Sequence, residues 1–441
     1  MTSLLILWAR YPFPPQSGRT KLLAQRLAFC AGANCTVHLV IFDTASEEEQ
    51  KRRKTFLQEQ FPFVQSVRFL PLPSLPHAAW NMLRYSLLSD AKTLQESLFF
   101  SPAYKRLIDE EIHRLQPTTI YCDTFRMAQY LEDFQQSATL RNLPHKPHIV
   151  FDWDDIFSQK YQNYLERTDD DTPLLGYLSK YVPAFIQKLA NHVLRRTLLK
   201  IEIARSLQRE TVLPPHADET ILVSPREVET LQKRSNTASV SAMLPAVHFP
   251  TLPENCPERP QSLVFMGLLN FMPNEEGLLH FLEVIFPLVQ KKLAQNKVSR
   301  ASLTIIGANP TPRLLAAAEK HGELVKFTGF VPEPASILCS SEVFIAPVYY
   351  GTGIKTKILD GMAYHVPVVT TPQGAEGLAL RSGEEAIIAK SDEEFAEACT
   401  RLILNPAERS HIRAQALRYV QTHHTEEALR TRFLSICRIS S

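Results

Sequence analysis

The sequence lacks the long apolar run that a membrane-spanning helix requires, about 20 residues, although it is 441 residues long. Leu4 to Ala9 is apolar, but Arg10 ends it well short of the core of a secretory signal. Charge of one sign is also lacking. A net charge of +2 gives bulk electrostatics no hold on nucleic acid. Cysteine is sparse and scattered: Cys30, Cys35, Cys122, Cys256, Cys339, Cys399 and Cys437 contain no Cys-x-x-Cys pair and no zinc-finger spacing. All seven therefore read as reduced core thiols, and the expected location is the cytoplasm.

What is present describes two α/β domains. An apolar fraction of 44% excludes wholesale disorder. The chain is too long for one ordinary core and long enough for two domains of about 200 residues. Leu244 to Pro260, rich in proline and without periodicity, reads as the linker between them. The expected division is residues 1–255, 256–420, and a C-terminal helix 421–441 that crosses back to the first domain. Leu4 to Ala9 is a continuous apolar run, as in a parallel strand buried on both faces. Further strands are expected at Val37–Phe42, Val67–Leu72, Thr119–Asp123, His148–Asp152 and Thr220–Ser224. The second half alternates more cleanly. Strands at Leu263–Met266, Leu303–Ile306, Val325–Phe327, Val343–Val348, Pro367–Thr371 and Ala386–Ala389 are separated mostly by helical stretches, the pattern of a doubly wound parallel sheet.

Chemistry concentrates in Ala346 to Leu378. A strand end runs into a loop with Gly351 and Gly353, then a short helix from about Lys355 to Tyr364. The two glycines allow positive φ and close backbone approach. The helix start offers unpaired N–H groups and the positive end of its dipole. Lys355 and Lys357 gain nothing from that dipole, so their position points to a bound anion. An ordinary βαβ unit with solvated lysines is the plainer explanation; the convergence of loop, cations and the Asp360 carboxylate favours a phosphate cradle.

This stretch, with its Gly-x-Gly-x-Lys-x-Lys loop, an acid at Asp360, the Pro367-Val-Val strand and the Gly374 to Gly377 turn, resembles the donor motif of family 4 glycosyltransferases. The resemblance implies a GT-B fold, in which two Rossmann-like domains face a cleft. It implies transfer of a sugar from a nucleoside diphosphate sugar to an acceptor hydroxyl, with retention and without a bound metal or cofactor. It places the ribose on Asp360, the diphosphate on the amides of Gly351, Thr352, Gly353 and Ile354 with Lys355 and Lys357, and the nucleobase beside the loop ending at Val331. Gly267 closes the first strand of that domain, where relatives carry an Arg and a Lys soon after; Leu268 and Asn274 replace them here. Thr352 stands where relatives have an acid, and His365 where they commonly have Gly. In the first domain, Pro14, Pro15 and Gly18 keep part of a Gly-rich loop that in relatives lies over the diphosphate, with Ser17 in place of one Gly.

The strand ending at Asp152 runs into Asp152-Trp-Asp-Asp155 and carries no histidine, unlike many relatives. Three acids packed together repel unless a cation or ligand offsets them. Asp154 and Asp152 are therefore candidates for acting on the acceptor hydroxyl, Asp154 preferred. They could equally cap a helix starting near Ile156. Two other stretches bear on partners. Leu75 to Phe100 is apolar with few charges, which usually means core and sometimes an apolar acceptor or membrane surface. Lys188 to Gln208 reads as a basic amphipathic helix with Leu189, Val193, Ile201 and Ala204 on one face, more often a plain surface helix than one lying on anionic lipid. Lys51 to Lys54 reads as a solvated charge run. The expected partners are a nucleotide-sugar donor and an acceptor, lipid-linked or polysaccharide, with contact at the inner membrane face and none with nucleic acid. A hexosyl donor used in cell-surface polysaccharide or glycolipid synthesis is the expected setting. Two rivals stand: a nucleotide-sugar epimerase of the same fold, and a non-catalytic relative.

Overall fold

The computed structural model describes residues 2–15, 18–134, 137, 143–166, 195–237, 239–254, 256–350 and 354–440. The chain forms two compact units, Met1–Met243 with Arg430–Ser441, and Leu244–Leu429.

The first unit is built on a seven-stranded sheet in the order β3-β2-β1-β4-β5-β6-β7. Its strands are β1 (Thr2–Trp8), β2 (Cys35–Phe42), β3 (Val64–Leu70), β4 (Thr119–Asp123), β5 (His148–Asp154), β6 (Glu219–Leu222) and β7 (Val240–Ala242). All pairings are parallel. Helices cover both faces, so Leu4 to Trp8 is buried without alternation. β7 is only three residues long and was not anticipated, because so short a segment shows no period. The C-terminal residues complete this unit. Phe433 packs 5.9 Å from Phe29 and 5.7 Å from Tyr121, and Thr119 Oγ1 donates to the Cys437 carbonyl at 2.7 Å.

The second unit has a six-stranded sheet in the order β10-β9-β8-β11-β12-β13, again parallel throughout. The strands are β8 (Ser262–Met266), β9 (Ser302–Ile306), β10 (Val325–Gly329), β11 (Val343–Ala346), β12 (Val368–Thr370) and β13 (Ile387–Ile388). In each sheet the winding reverses once, between β1 and β4 and between β8 and β11. Loops diverge at such reversals and open a crevice beyond the carboxyl ends of the strands.

One expectation gains detail and two are corrected. The proline-rich stretch begins where the second unit begins and packs into it: Val247 is buried and its N–H donates to the His424 carbonyl at 2.9 Å. Cys256 and Cys339 are joined in a disulfide with Cα atoms 6.1 Å apart, so only the other five cysteines are free thiols, all buried. The basic helix is described as Arg195–Val212, residues 188–194 lying outside the described residues. Its buried face carries Arg195, Glu202, Arg209 and Glu210, whereas Ala204 is exposed. Those charges turn inward because partners await them: Glu202 accepts from the Leu94 N–H at 2.6 Å, and Arg209 Nε donates to Glu96 at 2.9 Å.

Candidate functional site

The crevice of the second sheet is flanked by the segment after β8 and the loop after β11. Two close approaches build it. Gly277, in the helix Met272–His280 that follows β8, lies against the Pro347 carbonyl just past β11; a Cβ there would meet that oxygen at 1.8 Å. Gly307, at the end of β9, likewise leaves no room for a Cβ beside the Gly267 carbonyl. Glycine is required at both. The helix Thr356–Ala363 starts in this crevice, and the side chain of its N-cap residue, Lys355, makes no cap hydrogen bond.

Lys357 spans the reversal point. Its ammonium donates to the Asn274 side-chain oxygen and sits 4.7 Å from the centre of the Phe265 ring on β8. Asn274 is aligned by its own amide, which donates to the Leu268 carbonyl at 2.7 Å. The Asn274 amide also fills the space beside Gly267, where a Cβ would approach it to 2.8 Å. Burial, reinforced by the Lys355 charge and opposed by Asp360, pulls the Lys357 ammonium down to about 7. The cation expected beside residue 274 thus arrives from another helix. That is the structural counterpart of the replacements at Leu268 and Asn274.

Ile354 and Val331 pack against one apolar cluster that contains Ile358, Leu359, Met362 and Val368. Lys355 and Asp360 are half-buried on the same helix as Lys357 or at its start. Gly351, Thr352 and Gly353 lie outside the described residues. His365 has an identifiable job. Its φ is +59°, its N–H donates to the Met362 carbonyl at 3.1 Å, and the Val366 N–H donates to the Gly361 carbonyl at 3.0 Å. It occupies the left-handed position that ends a helix, where glycine is the usual residue. The departure at 365 therefore concerns helix termination.

In the first unit, the carboxyl ends of β1, β4 and β5 converge on Arg19. This residue follows Gly18 at the start of the helix Gly18–Ala28 and is buried. Its guanidinium donates to Asp123 at 2.6 and 2.9 Å, to Asp152 at 2.8 Å and to Asp154 at 3.3 Å. The repulsion anticipated among the acids is therefore met by a cation of the chain itself. Burial would raise the Asp123 carboxyl, but Arg19, aided by Arg10 and Arg126, outweighs it and holds the group below the usual carboxylate range. Asp152 also accepts from the Tyr121 hydroxyl and is almost inaccessible, so its carboxylate serves as an anchor.

Asp154 differs. The β5–β6 register shifts between Asp152 and Asp154, and Asp154 adopts φ +72°. Such a bulge re-aims a side chain and stores strain. Its side chain is 18% exposed, the most accessible of the three that Arg19 binds. Burial, against the pull of Arg19, pushes its carboxyl up to about 6. Helix capping does not explain these acids. The helix Phe157–Glu166 is started by other carboxylates: Glu227 accepts from the Ile156 N–H at 3.4 Å and Glu210 from the Ser158 N–H at 2.9 Å. Asp155 pairs with Lys160 at 2.6 Å.

Gly18 has open space around it. The preceding loop is pinned by Phe13, whose ring lies 5.5 Å from both Phe56 and Phe61. Arg53, within the supposed solvated run, pairs with Asp43 at 2.6 Å and covers the Tyr11 ring at 4.6 Å. Sequence reasoning missed Arg19. The available signal was a cation immediately after the loop glycine, aimed along the helix start at strands that each end in aspartate.

Comparison with known proteins bears on both units. Residues 260–405 match the family model described as Glycosyl transferases group 1. A protein of the cps region of Klebsiella pneumoniae, of 44.6 kDa, is 27% identical over 165 residues, 37% of this chain; the match spans 42% of that relative's length. Among solved structures, Anabaena Alr3699/HepE in complex with UDP and glucose superposes with a TM-score of 0.58 at 13% identity, covering 99% of each chain. Sucrose-phosphate synthase from Thermosynechococcus elongatus gives 0.58 at 15% identity over 99% of this chain and 98% of that one. S. aureus TarM, in complex with Fondaparinux, alpha-GlcNAc-glycerol and UDP, gives 0.58 at 10% identity over 99% and 100%. The two parallel-sheet units make up the GT-B fold of these proteins.

Proposed function

From a second unit whose residues 260–405 match the model of the group 1 glycosyltransferases, we propose that this chain transfers a hexosyl group from a nucleoside diphosphate sugar to an acceptor hydroxyl, with retention. The observation that carries the proposal is Lys357, an ammonium held by Asn274 across the winding reversal of the second sheet, next to the start of the helix Thr356–Ala363. A diphosphate at that place meets fixed N–H groups, a helix dipole and two lysines, which together stabilise the charge that grows on the leaving group. No cofactor is required by this chemistry, and lysines can do what a metal does elsewhere. Asp360 would bind the ribose, and the loop 351–353 with Ile354 would wrap the phosphates.

In the first unit, the acceptor-side role is assigned to Asp154, whose re-aimed and most accessible carboxyl supports it. Its carboxyl, raised to about 6, remains mostly ionised at neutral pH yet is basic enough to accept a proton as the hydroxyl attacks. Asp152 holds Arg19, which in turn orients Asp154. UDP in two of the similar structures and the cps-region setting of the sequence relative support a UDP-sugar and a cell-surface polysaccharide or glycolipid acceptor. The test is a binding screen across UDP-, GDP- and ADP-sugars, followed by product analysis with donor alone and with donor plus acceptor. A new sugar nucleotide formed from donor alone would make this an epimerase. Tight donor binding with no product in any mixture would make it a non-catalytic binder.

A further inference from the structure

The segment 75–88 folds inside out. It forms a helix Leu75–Asn81 continued by a π-helical turn Met82–Leu87. The side chains it buries are Ala78, Asn81 and Ser86. Those it exposes are Leu75, Trp80, Leu83, Leu87 and Leu88, each between 40% and 76% accessible. This orientation is fixed by hydrogen bonds. Asn81 donates to the carbonyls of Ser97 at 3.3 Å and Phe100 at 2.7 Å. Ser86 donates to the Thr93 carbonyl at 3.0 Å and shares a hydrogen bond with Ser97 at 2.7 Å. Rotating the helix to hide its leucines would strand those buried polar groups. Five large apolar side chains exposed within fourteen residues are more than the singly scattered apolar residues of an ordinary surface.

Its surroundings are cationic. The helix Arg195–Val212 packs beside the π turn, where Arg205 Nε donates to the Ser86 carbonyl at 3.1 Å. The exposed residues of that helix include Arg196, Lys200 and Leu207, while both of its acids, Glu202 and Glu210, are buried. On the segment itself Arg84 is exposed beside Leu83. Leucines and an indole flanked by Arg84, Arg196 and Lys200, with Asp90 the exposed acid just past the segment, match a bilayer interface carrying anionic headgroups.

We propose that this face of the first unit docks on anionic lipid, with Trp80, Leu83, Leu87 and Leu88 entering the headgroup boundary and Arg84, Arg196 and Lys200 meeting lipid phosphates. The proposal is independent of the transferase reading, because it concerns a surface and needs no donor.

The three tryptophans make the test direct. Trp8 and Trp153 are buried, so a change in emission on adding vesicles reports Trp80. Full-length protein is mixed with vesicles of phosphatidylcholine and phosphatidylglycerol in equal parts, and with phosphatidylcholine alone. Expected is a blue shift, with co-sedimentation, on the anionic vesicles only, weakened at least tenfold by high salt and by the pair Arg196→Glu and Lys200→Glu. Leu83→Glu with Leu87→Glu should abolish binding, and because both leucines are exposed the variant should keep the wild-type melting temperature and its affinity for UDP. No blue shift on anionic vesicles overturns the proposal. A wild-type dimer that the leucine variant converts to monomer also overturns it, since a second copy would then cover the patch.

Discussion

Lys357 allows the donor crevice to be tested through pH. Its ammonium is lowered to about 7 by burial, with Lys355 adding to the effect. A diphosphate bound beside it would favour the charged form and raise that value well above neutrality, so binding takes up a proton. The sign follows: affinity is greatest below the free protein's value and falls as pH rises through it. Between about pH 7 and pH 8.5 the charged fraction drops from about a half to about 3%. Apparent affinity for UDP should then weaken roughly fifteenfold, about 1.6 kcal/mol. The range lies above the phosphate's own last titration near pH ~6. Calorimetric titration with UDP in buffers of different ionisation enthalpy would give both the affinity and the proton uptake. Lys357→Met should bind more weakly at pH 7 and lose most of the pH dependence. A wild-type profile that stays flat over this range, or a Lys357→Met profile as steep as wild type, would refute the placement of the diphosphate against this ammonium.

The remaining predictions concern single side chains. Asp154→Asn should slow transfer at least tenfold while leaving UDP affinity intact, whereas near-wild-type turnover would remove Asp154 from the acceptor chemistry. Because the Asp154 carboxyl is raised to about 6 in the fold, its ionisation opposes folding increasingly as pH rises from about 4 to 6. The same variant should therefore melt higher than wild type above pH 6 and show no gain near pH 4. Asp360→Asn should weaken binding of a ribonucleotide more than that of its 2′,3′-dideoxy analogue; equal losses on both would make Asp360 structural. His365→Gly should stabilise the second unit by about 1 kcal/mol, read as a higher melting temperature, since φ +59° carries a penalty for any residue with a Cβ. A lower melting temperature would show that the imidazole makes a contact worth more than that strain.

The pattern of short apolar runs separated by helical stretches was enough to identify two parallel α/β sheets, because strands buried on both faces need no alternation and leave continuous hydrophobic segments. The helix after β11 was equally legible, with Lys355 and Lys357 at its start; the anion that they point to belongs to the proposed function. Other features depended on residues far apart in sequence. Arg19 joins aspartates from β4 and β5 that lie more than a hundred positions away, and only the parallel register brings their carboxylates to one guanidinium. Lys357 meets Asn274 because Gly277 allows the intervening backbones to touch. Cys256 and Cys339 pair across a separation of 83 residues that carries no local signature.

The helices at 75–88 and 195–212 mark the limit of periodicity most clearly. A hydrophobic stripe normally says which face turns inward, yet here buried hydrogen bonds and ion pairs hold the polar faces inside and leave leucines in contact with solvent. Composition along a helix shows that it has two faces. Which of them faces the core is decided by the partners that tertiary folding brings to it, since an unmatched buried polar group is more costly than an exposed leucine.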